Sequence, residues 1–440
     1  MKELIATSGP VIVVALDDHA FAAITVDGNV HLVKLCVPNS TADARSETND
    51  NQNPYAVQAV AVSFSQDSKQ LLCAVSRYDK YLSVYSLSLA NAELELTLEL
   101  EPTIVHKTNK RCCALEFADI PSKNEIGHSL SVIIAADLAG DVNAFPVIAE
   151  EKAGTDGCDK KVNRLLLGHT ASMLTAVKII DGKIFTADRD EKVRVSSFPL
   201  TYNVLGYLLG NEAYVTDIDV KKEKYCVTTS GDCTIRLWDY DKCVELACLD
   251  CKQSDEADDK TNNEQSTHIP VRVTANEAGD IIAVIYNEKD VVDLFSVVEK
   301  GGSEMMIHKM QSLKCTNPLA ISFVNNDLFV LGKEPTYMTH FFKDISGEYV
   351  SAKDSCKITA AVQKIALECE ITMPESILET DNTGKIKLMK NIKEDGEGFV
   401  DHKPWLNGDR VLKMKDKERQ RKKRRLEEQL AAKSTVEDKS

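Results

Sequence analysis

The amino-acid sequence predicts an all-β protein built as a closed ring of small sheets, and three observations lead to this prediction. Short runs of alternating apolar and polar residues, rich in β-branched and aromatic side chains, recur along the chain. Two stretches of sequence repeat each other at a fixed distance. Helical periodicity is scarce before residue 400. A chain of 440 residues holds either several domains or one large repetitive architecture, and the repeat favours the second.

The alternating runs predict strands, because side chains on a strand point to opposite faces in turn. The clearest runs are residues 21–26, 57–64, 131–135, 281–286 and 328–331. Three polar stretches contain few large apolar residues and cannot contribute to a core, so we expect loops inserted between strands there. They are residues 39–54, 150–162 and 252–267.

The repeat has a spacing of 42 residues. Three pairs share that spacing: Gly168 and Gly210, Asp190 and Asp232, and Arg194 and Arg236. The first copy opens on Gly168-His169, and the second ends on Trp238-Asp239. A Gly-His, a turn Asp and a terminal Trp-Asp within a unit of roughly 40–45 residues are typical of a WD repeat, one four-stranded blade of a β-propeller.

Weaker copies of the turn and the strand that follows it occur elsewhere. They lie at residues 27–32, 79–85, 139–145, 290–295 and 335–341. Together with the two clear copies they predict a seven-bladed WD-repeat β-propeller over residues 1–390. Residues 391–440 are predicted to be a basic C-terminal tail, partly helical or disordered.

The charge distribution separates an acidic body from this tail. The chain has 53 basic and 68 acidic residues, a formal charge of −15. Nine basic and two acidic residues between positions 413 and 425 give this segment +7, so the remainder carries −22. A main body of that sign is not expected to wrap nucleic acid by itself. The tail and the body therefore need separate interpretations.

Composition also indicates the compartment. No apolar run approaches the ~18 residues that a membrane span requires, and the N-terminus does not resemble a secretion signal. The 13 cysteines follow no framework spacing. We therefore predict a soluble intracellular protein without a membrane partner, whose thiols are buried or incidental.

The motifs of catalysis and metal binding are missing from the sequence. It has no phosphate-binding glycine loop, paired metal-ligand helix motif or nucleophile elbow. Cys248 and Cys251, with Cys243 and His268 nearby, have spacings that fit a zinc site poorly. We predict no catalytic residue, no metal and no cofactor on this chain.

Carboxylates of the repeat have a structural interpretation. A blade's turn Asp typically accepts hydrogen bonds that burial would otherwise leave unmade. We therefore expect Asp190 to pair with His169, and Asp232 to pair with Asn211, which replaces the histidine of the second copy. Trp238 is assigned to the same structural hydrogen bonding.

The residues around the first repeat turn form an unusual charged segment, residues 189–194. It carries four charges of both signs: Arg189, Glu191, Lys192 and Arg194. If Val193 points into the core, Arg194 points outward. Such a cluster on a rigid turn either sets the register of a docked partner or is merely solvated.

Residues 165–240 resemble the non-catalytic WD-repeat subunit of the tRNA guanine-N7 methyltransferase, a family that includes Wuho. The resemblance implies a seven-bladed propeller that performs no chemistry. It implies a heterodimer with a separate catalytic methyltransferase, which uses S-adenosylmethionine to form 7-methylguanosine in the variable loop of tRNA. It also implies that Arg189, Glu191, Lys192 and Arg194 contact that partner. Asn211 departs from the pattern, because a Gly-His is expected there.

The tail has its own signals. Asp409 is a favoured N-cap from which a helix can start. The run Arg421, Lys422, Lys423, Arg424 and Arg425 could neutralise tRNA phosphates or direct the protein to the nucleus, or it could be solvated. We expect a nuclear location, with the cytoplasm as an alternative. The alternative function is a general WD-repeat adaptor, such as a substrate receptor of a ubiquitin ligase or a nuclear assembly factor.

Overall fold

The fold was analysed in a computed structural model. It describes residues 2–26, 29–37, 53–65, 68–89, 97–121, 129–147, 164–170, 172–221, 225–251, 268–300, 305–352, 356–369, 371 and 373. Within these ranges the chain forms 29 strands and one helix. The tail at 391–440, the predicted loops at 150–162 and 252–267, and all but the end of the loop at 39–54 lie outside the described residues.

The strands form seven sheets, and in each sheet the order runs from the innermost strand outward. The first sheet contains β1 (Ile5–Ser8), β2 (Val11–Leu16), β3 (His19–Val26), β4 (Asn29–Leu35) and β8 (Thr97–Leu100). The second contains β5 (Val57–Ser65), β6 (Gln70–Arg77), β7 (Tyr81–Ser88) and β9 (Ile104–Lys107). The third contains β10 (Cys112–Pro121), β11 (Ser129–Asp137), β12 (Asp141–Pro146) and β13 (Arg164–Gly168). The fourth contains β14 (Leu174–Ile180), β15 (Lys183–Asp188), β16 (Lys192–Ser197) and β17 (Val204–Leu209).

The remaining three sheets have the same design. The fifth contains β18 (Val215–Lys221), β19 (Tyr225–Ser230), β20 (Thr234–Asp239) and β21 (Val244–Asp250). The sixth contains β22 (Pro270–Ala275), β23 (Ile281–Tyr286), β24 (Val291–Glu299) and β25 (Met305–Lys314). The seventh contains β26 (Ala320–Val324), β27 (Asp327–Leu331), β28 (Met338–Lys343) and β29 (Tyr349–Ser351). The helix is α1 (Lys357–Glu368). Neighbouring strands pair antiparallel except β4 and β8, which are parallel.

The innermost strands close a ring. Each contacts the innermost strand of the next sheet, and β26 of the seventh sheet contacts β1 of the first. At that last junction the hydroxyls of Thr7 and Ser322 are 2.9 Å apart, and Thr7 also donates to the carbonyl oxygen of Phe323 at 3.1 Å. The prediction of a seven-bladed propeller is confirmed.

The weak sequence copies coincide with particular strands. Four of the five enter the third strand of their sheet, namely β7, β12, β24 and β28. The copy at 27–32 instead enters β4, the fourth strand of the first sheet. The turn-and-strand pattern therefore marks the right places, although its position within the first sheet differs.

Apolar side chains between adjacent sheets form the core. Between the fourth and fifth sheets, Phe185 and Val193 pack with Ile218 and Trp238, all at most 1% exposed. Val193 and Val195 are both fully buried, whereas Arg194 between them is not. The period of two in the sequence is thus the period of burial.

Helix α1 lies where the seventh sheet meets the first. It contacts β28 of the seventh sheet and β4 of the first, and it buries Val362 and Ala366. The Gln363 side chain accepts a hydrogen bond from the Tyr337 amide at 2.9 Å and donates to the Pro335 carbonyl at 2.7 Å. This helix was not predicted from the sequence, and it falls inside the range assigned to the propeller. Among the described residues, no helix has the length and apolar composition needed to cross a membrane.

We predict that Val362→Asp destabilises the fold by roughly 2–4 kcal/mol, because a carboxylate would be buried between α1 and the sheets. The matched control is Leu367→Asp, which makes a comparable apolar-to-acid change on the exposed side of the same helix. It should cost less than about 1 kcal/mol. Urea denaturation of both variants measures the difference. Equal losses would show that α1 does not stabilise the ring.

Candidate partner-binding surface

The charged segment occupies the turn between β15 and β16 and the start of β16. Glu191 in this turn has a φ of 73°, and Cys233, which is 42 residues later, has a φ of 69°. A left-handed backbone is uncommon for such residues, so its recurrence shows that the two repeats share one turn geometry. The turn conformation is therefore a property of the blade and holds the side chains around it in fixed directions.

A buried carboxylate organises this turn. Asp188, the last residue of β15, is 0% exposed. Its Oδ1 accepts the backbone amides of Asp190 at 2.9 Å and Lys192 at 3.4 Å. Its Oδ2 lies 2.8 Å from His169 Nδ1 and 3.0 Å from Lys192 Nζ. Burial raises the pKa of Asp188, but the hydrogen bond from His169 and the charge of Lys192 outweigh it and leave the pKa below its usual range.

The prediction that His169 pairs with Asp190 is wrong. His169 binds Asp188 through Nδ1 and Thr186 through Nε2, each at 2.8 Å. Asp190 lies two residues further on, outside the strand, and is 48% exposed. The strand ends before the turn, so its inward-facing Asp188 meets the histidine, and Asp190 reaches solvent.

The second repeat forms its structural hydrogen bonds between a different combination of side chains. Trp238 Nε1 donates to Thr228 Oγ1 at 3.0 Å, and that hydroxyl in turn donates to Asn211 at 3.4 Å. The predicted pair of Asp232 with Asn211 is not formed. Asp232 instead accepts the backbone amides of Glu212 at 2.8 Å and Thr234 at 2.9 Å. Its predicted role in structural hydrogen bonding thus comes through the backbone.

Arg194 differs from its counterpart in the next blade. Arg236 lies 2.6 Å from a carboxylate oxygen of Glu245. Arg194 donates to Ser196 Oγ at 2.9 Å and to the carbonyl oxygen of Thr201 at 3.0 Å. Among the described residues, no carboxylate oxygen lies within 4 Å of the Arg194 guanidinium. These two hydrogen bonds orient the side chain, and its charge has no counterion within the described part of the chain.

Exposed apolar side chains flank Arg194. Strand β17 forms the outer edge of the fourth sheet, and Tyr207 pairs in register with Arg194 while Leu209 pairs with Lys192. Tyr207 is 40% and Leu209 is 66% exposed. We call the exposed apolar residues of this strand and the preceding loop the apolar patch. They are Leu200, Tyr202, Val204, Leu205, Tyr207 and Leu209.

The apolar patch was not predicted from the sequence. In β17 the fully buried Leu208 lies between the exposed Tyr207 and Leu209, so burial alternates along the strand. All three residues are apolar, so apolar and polar residues do not alternate in the sequence. The signal available was this continuous apolar run on a strand that is outermost in its sheet. An exposed apolar surface beside an unneutralised cation is typical of an interaction site.

The other members of the charged segment have different environments. Lys192 is tied to the buried Asp188, so part of its charge is used inside the blade. The Nε of Arg189 is 3.8 Å from Asp190 Oδ1, and the Arg189 backbone amide donates to the Met173 carbonyl at 2.9 Å. Glu191 is exposed. The four predicted contacts therefore lie together, with Arg194 carrying the least compensated charge.

Two further predictions from the sequence concern other parts of the chain. Among the described residues, no group of three His, Cys, Asp or Glu side chains is arranged to hold a metal ion. The basic run Arg421, Lys422, Lys423, Arg424 and Arg425 lies outside the described residues.

Comparison with known proteins finds relatives of the part of the chain that contains this surface. Residues 159–334, which contain the charged segment, match the family model described as "tRNA methyltransferase TRM82 WD40 domain". The Bos taurus "tRNA (guanine-N(7)-)-methyltransferase non-catalytic subunit WDR4" is 36% identical over 142 residues, 32% of this chain and 30% of that protein. The subunit wuho of Drosophila ananassae, whose name also describes a non-catalytic subunit, is 27% identical over 186 residues, 42% of this chain and 39% of that protein.

This chain thus spans only 30% to 39% of the length of these two relatives. The resemblance seen in the sequence is confirmed, and the relatives' names agree with the predicted accessory role. Among solved structures, a chain of the "Crystal Structure of Mitotic Checkpoint Complex" is similar with a TM-score of 0.50 at 13% identity, covering 75% of this chain and 84% of that one. At that identity the likeness shows the fold alone.

We predict that Asp188→Asn destabilises the protein by about 2 kcal/mol or more, because it removes a buried, hydrogen-bonded charge. Asp190→Asn, an identical exchange two residues away at an exposed position, should change stability by less than about 0.5 kcal/mol. Urea denaturation distinguishes the two. A larger loss of stability for Asp190→Asn would support the pairing of His169 with Asp190.

The contribution of Asp188 to the unfolding free energy has a predicted pH dependence. The folded-state pKa of Asp188 is depressed below the unfolded value of about 3.9. The stability that the carboxylate contributes is therefore fully present above the unfolded pKa and is lost as pH falls through the folded pKa. The difference in unfolding free energy between the wild type and Asp188→Asn should be constant near neutrality and shrink in acid. A difference that grows in acid would contradict the assignment.

Proposed function

We propose that this chain is the non-catalytic subunit of a tRNA guanine-N7 methyltransferase, and that it supports a separate catalytic subunit through the charged segment and the apolar patch. The observation that carries the proposal is Arg194, an oriented guanidinium without an internal carboxylate partner among the described residues. The family match over residues 159–334 supports the assignment to tRNA methylation.

The physical basis of docking follows from the two parts of this surface. Arg194 offers a guanidinium whose direction is already fixed, so little side-chain entropy is lost when a partner carboxylate binds it. The apolar patch offers Tyr207 and Leu209 as hydrophobic contacts next to that charge. A desolvated centre with an arginine and an aromatic anchor is the usual composition of an energetically dominant contact. We therefore expect an acidic side chain beside an apolar one on the catalytic subunit.

Rigidity is the contribution that we assign to this chain. The charged segment is held by the backbone hydrogen bonds to Asp188 and by the apolar core between the fourth and fifth sheets. A surface that does not rearrange on binding can hold a flexible partner in one conformation. In this proposal the catalytic subunit binds S-adenosylmethionine and forms 7-methylguanosine in the variable loop of tRNA, and this chain stabilises its active conformation.

The first test measures assembly. Arg194→Glu should raise the Kd for the catalytic subunit at least about 30-fold, because attraction becomes like-charge repulsion at the partner carboxylate. Lys343→Glu is a matched reversal at an exposed position on β28 of the seventh sheet and should leave the Kd unchanged. A methylation assay of each subunit alone and of both together completes the test. Activity of this chain alone would refute the non-catalytic role.

The same measurement separates the adaptor alternative. A general WD-repeat adaptor would not stimulate tRNA methylation by the catalytic subunit, with or without Arg194. If Arg194→Glu retained full methylation and unchanged affinity, the proposed docking surface would be refuted. The association of the two subunits would not be refuted by that result.

The second test concerns the apolar patch. Leu209→Asp should weaken the complex roughly tenfold or more, since it replaces a hydrophobic contact by a charge that must be desolvated. Leu130→Asp introduces the same charge at an exposed leucine of the third sheet and serves as the control. Thermal melting should show both variants folded. Equal effects on affinity would exclude a specific role for the patch.

The third test concerns tRNA. Deletion of residues 409–440 should leave the protein complex assembled but weaken tRNA binding, because it removes the basic run. The slope of log affinity against log salt should become shallower by roughly 0.7–0.9 for each phosphate that the shortened chain no longer neutralises. An unchanged slope would show that the tail does not contact phosphate and would favour a targeting role.

A further inference from the structure

Three side chains with the chemistry of an activated nucleophile lie on elements that contact one another where α1 joins the seventh sheet. Cys356 is the N-cap residue of α1, His340 lies on β28 and Asp327 begins β27. They come from three separate elements and lie outside the surface described above. A thiol, a base and a carboxylate that orients the base form the basic arrangement of nucleophilic cysteines.

The imidazole is held firmly in this cluster. His340 Nε2 is 3.1 Å from Asp327 Oδ2, and its ring stacks on Phe329 with centroids 4.6 Å apart and an interplanar angle of 9°. A carboxylate only accepts hydrogen bonds, so Nε2 carries a proton. The other ring nitrogen, Nδ1, is buried and has no hydrogen-bond partner among the described residues. It is therefore available to accept the proton of the neighbouring thiol.

The helix terminus adds a second stabilising factor. Amide groups at the start of a helix favour negative charge, and the first turn of α1 contains no acidic residue. Burial raises the pKa of the Cys356 thiol, but the neighbouring His340 imidazole and the amides of Thr359 and Ile358 favour the thiolate and outweigh burial, so the pKa is lowered. By contrast, burial raises the pKa of Cys73 to about 12.

We propose that Cys356 is a thiolate modification site that undergoes exchange with small disulfides, of which glutathione disulfide is the representative substrate. The Cys356 thiolate attacks one sulfur of the disulfide and forms a new S–S bond to it. The original S–S bond breaks, and the second sulfur leaves as a thiolate that takes a proton from solvent. One cysteine of the chain is oxidised to the mixed disulfide, one half of the small disulfide is reduced and released as a thiol, and the other half stays bonded to Cys356.

The surroundings favour a small reagent and a stable product. Cys356 is partly exposed, so a small disulfide in solution can reach it. Cys315 is buried and pairs with Thr339, whose side chain projects from the face of β28 opposite to that of His340. That cysteine is therefore not placed to displace the glutathionyl group. The modified residue would be the N-cap of α1, the helix that bridges the seventh and first sheets.

The chain provides an internal control. Cys369 is the C-cap residue of the same helix and is exposed, whereas Cys356 is partly buried. Accessibility alone would make Cys369 the faster thiol. Faster reaction at Cys356 therefore has to come from its chemical environment.

The test uses the full-length chain and glutathione disulfide between pH 6 and 9, with peptide mass spectrometry to follow each cysteine. We expect Cys356 to react at least about tenfold faster than Cys369 at pH 6.5, and this ratio to decrease as pH rises, because thiols in general form more of the reactive thiolate in base. Both should react at similar rates in urea. Equal rates at pH 6.5 in the folded chain, or a ratio that persists in urea, would overturn the proposal.

A variant tests the role of the histidine. His340→Gln should reduce the Cys356 rate at pH 6.5 several-fold and leave the Cys369 rate unchanged, since glutamine cannot accept the thiol proton. An unchanged Cys356 rate would overturn the assignment of His340. If this variant does not fold, the comparison of Cys356 with Cys369 in the wild-type chain still decides the proposal.

Discussion

The proposed docking surface depends on one buried negative charge, the carboxylate of Asp188. A carboxylate without solvent contact is costly unless it is fully compensated. In this blade His169, Lys192 and two turn amides compensate it, so the turn, the histidine and the start of β16 are held as one unit. Because β16 begins in a fixed register, Arg194 projects from the blade at a fixed position. The Asp188 carboxylate that stabilises the blade therefore also positions Arg194, which we propose binds the partner.

Closure of the ring imposes the second constraint. Seven sheets leave no free inner edge only if the last one meets the first, and β26 and β1 make that contact through Thr7 and Ser322. Helix α1 covers the outer part of the same junction. Its N-cap Cys356 lies against the seventh sheet, so the proposed modification site and the ring junction share one element. The docking surface, on the fourth sheet, has no residue in common with this junction.

Much of the fold could be predicted because a strand has a local signature. The period of two identified β3, β5, β11, β23 and β27, and the 42-residue spacing identified the two best blades. The site was predicted only in part. The segment containing Arg194 was found, but the histidine was paired with Asp190 because Asp190 recurs 42 residues later as Asp232. Asp188 has Ser230 as its counterpart 42 residues later, so the repeat itself concealed its importance.

The sequence by itself determined the strands, their turns and the number of blades, because backbone pleating and turn geometry are set by neighbouring residues. Only the tertiary structure decided which charges are compensated. Arg194 and Arg236 are equivalent in the repeat, yet within the described ranges only Arg236 has a carboxylate, Glu245, placed beside it by the outer strand. Helix α1 likewise contacts β4 of the first sheet, far away in sequence, because closure of the ring places that sheet beside the seventh. Contacts of this kind depend on the closure of the whole chain, which local sequence patterns do not encode.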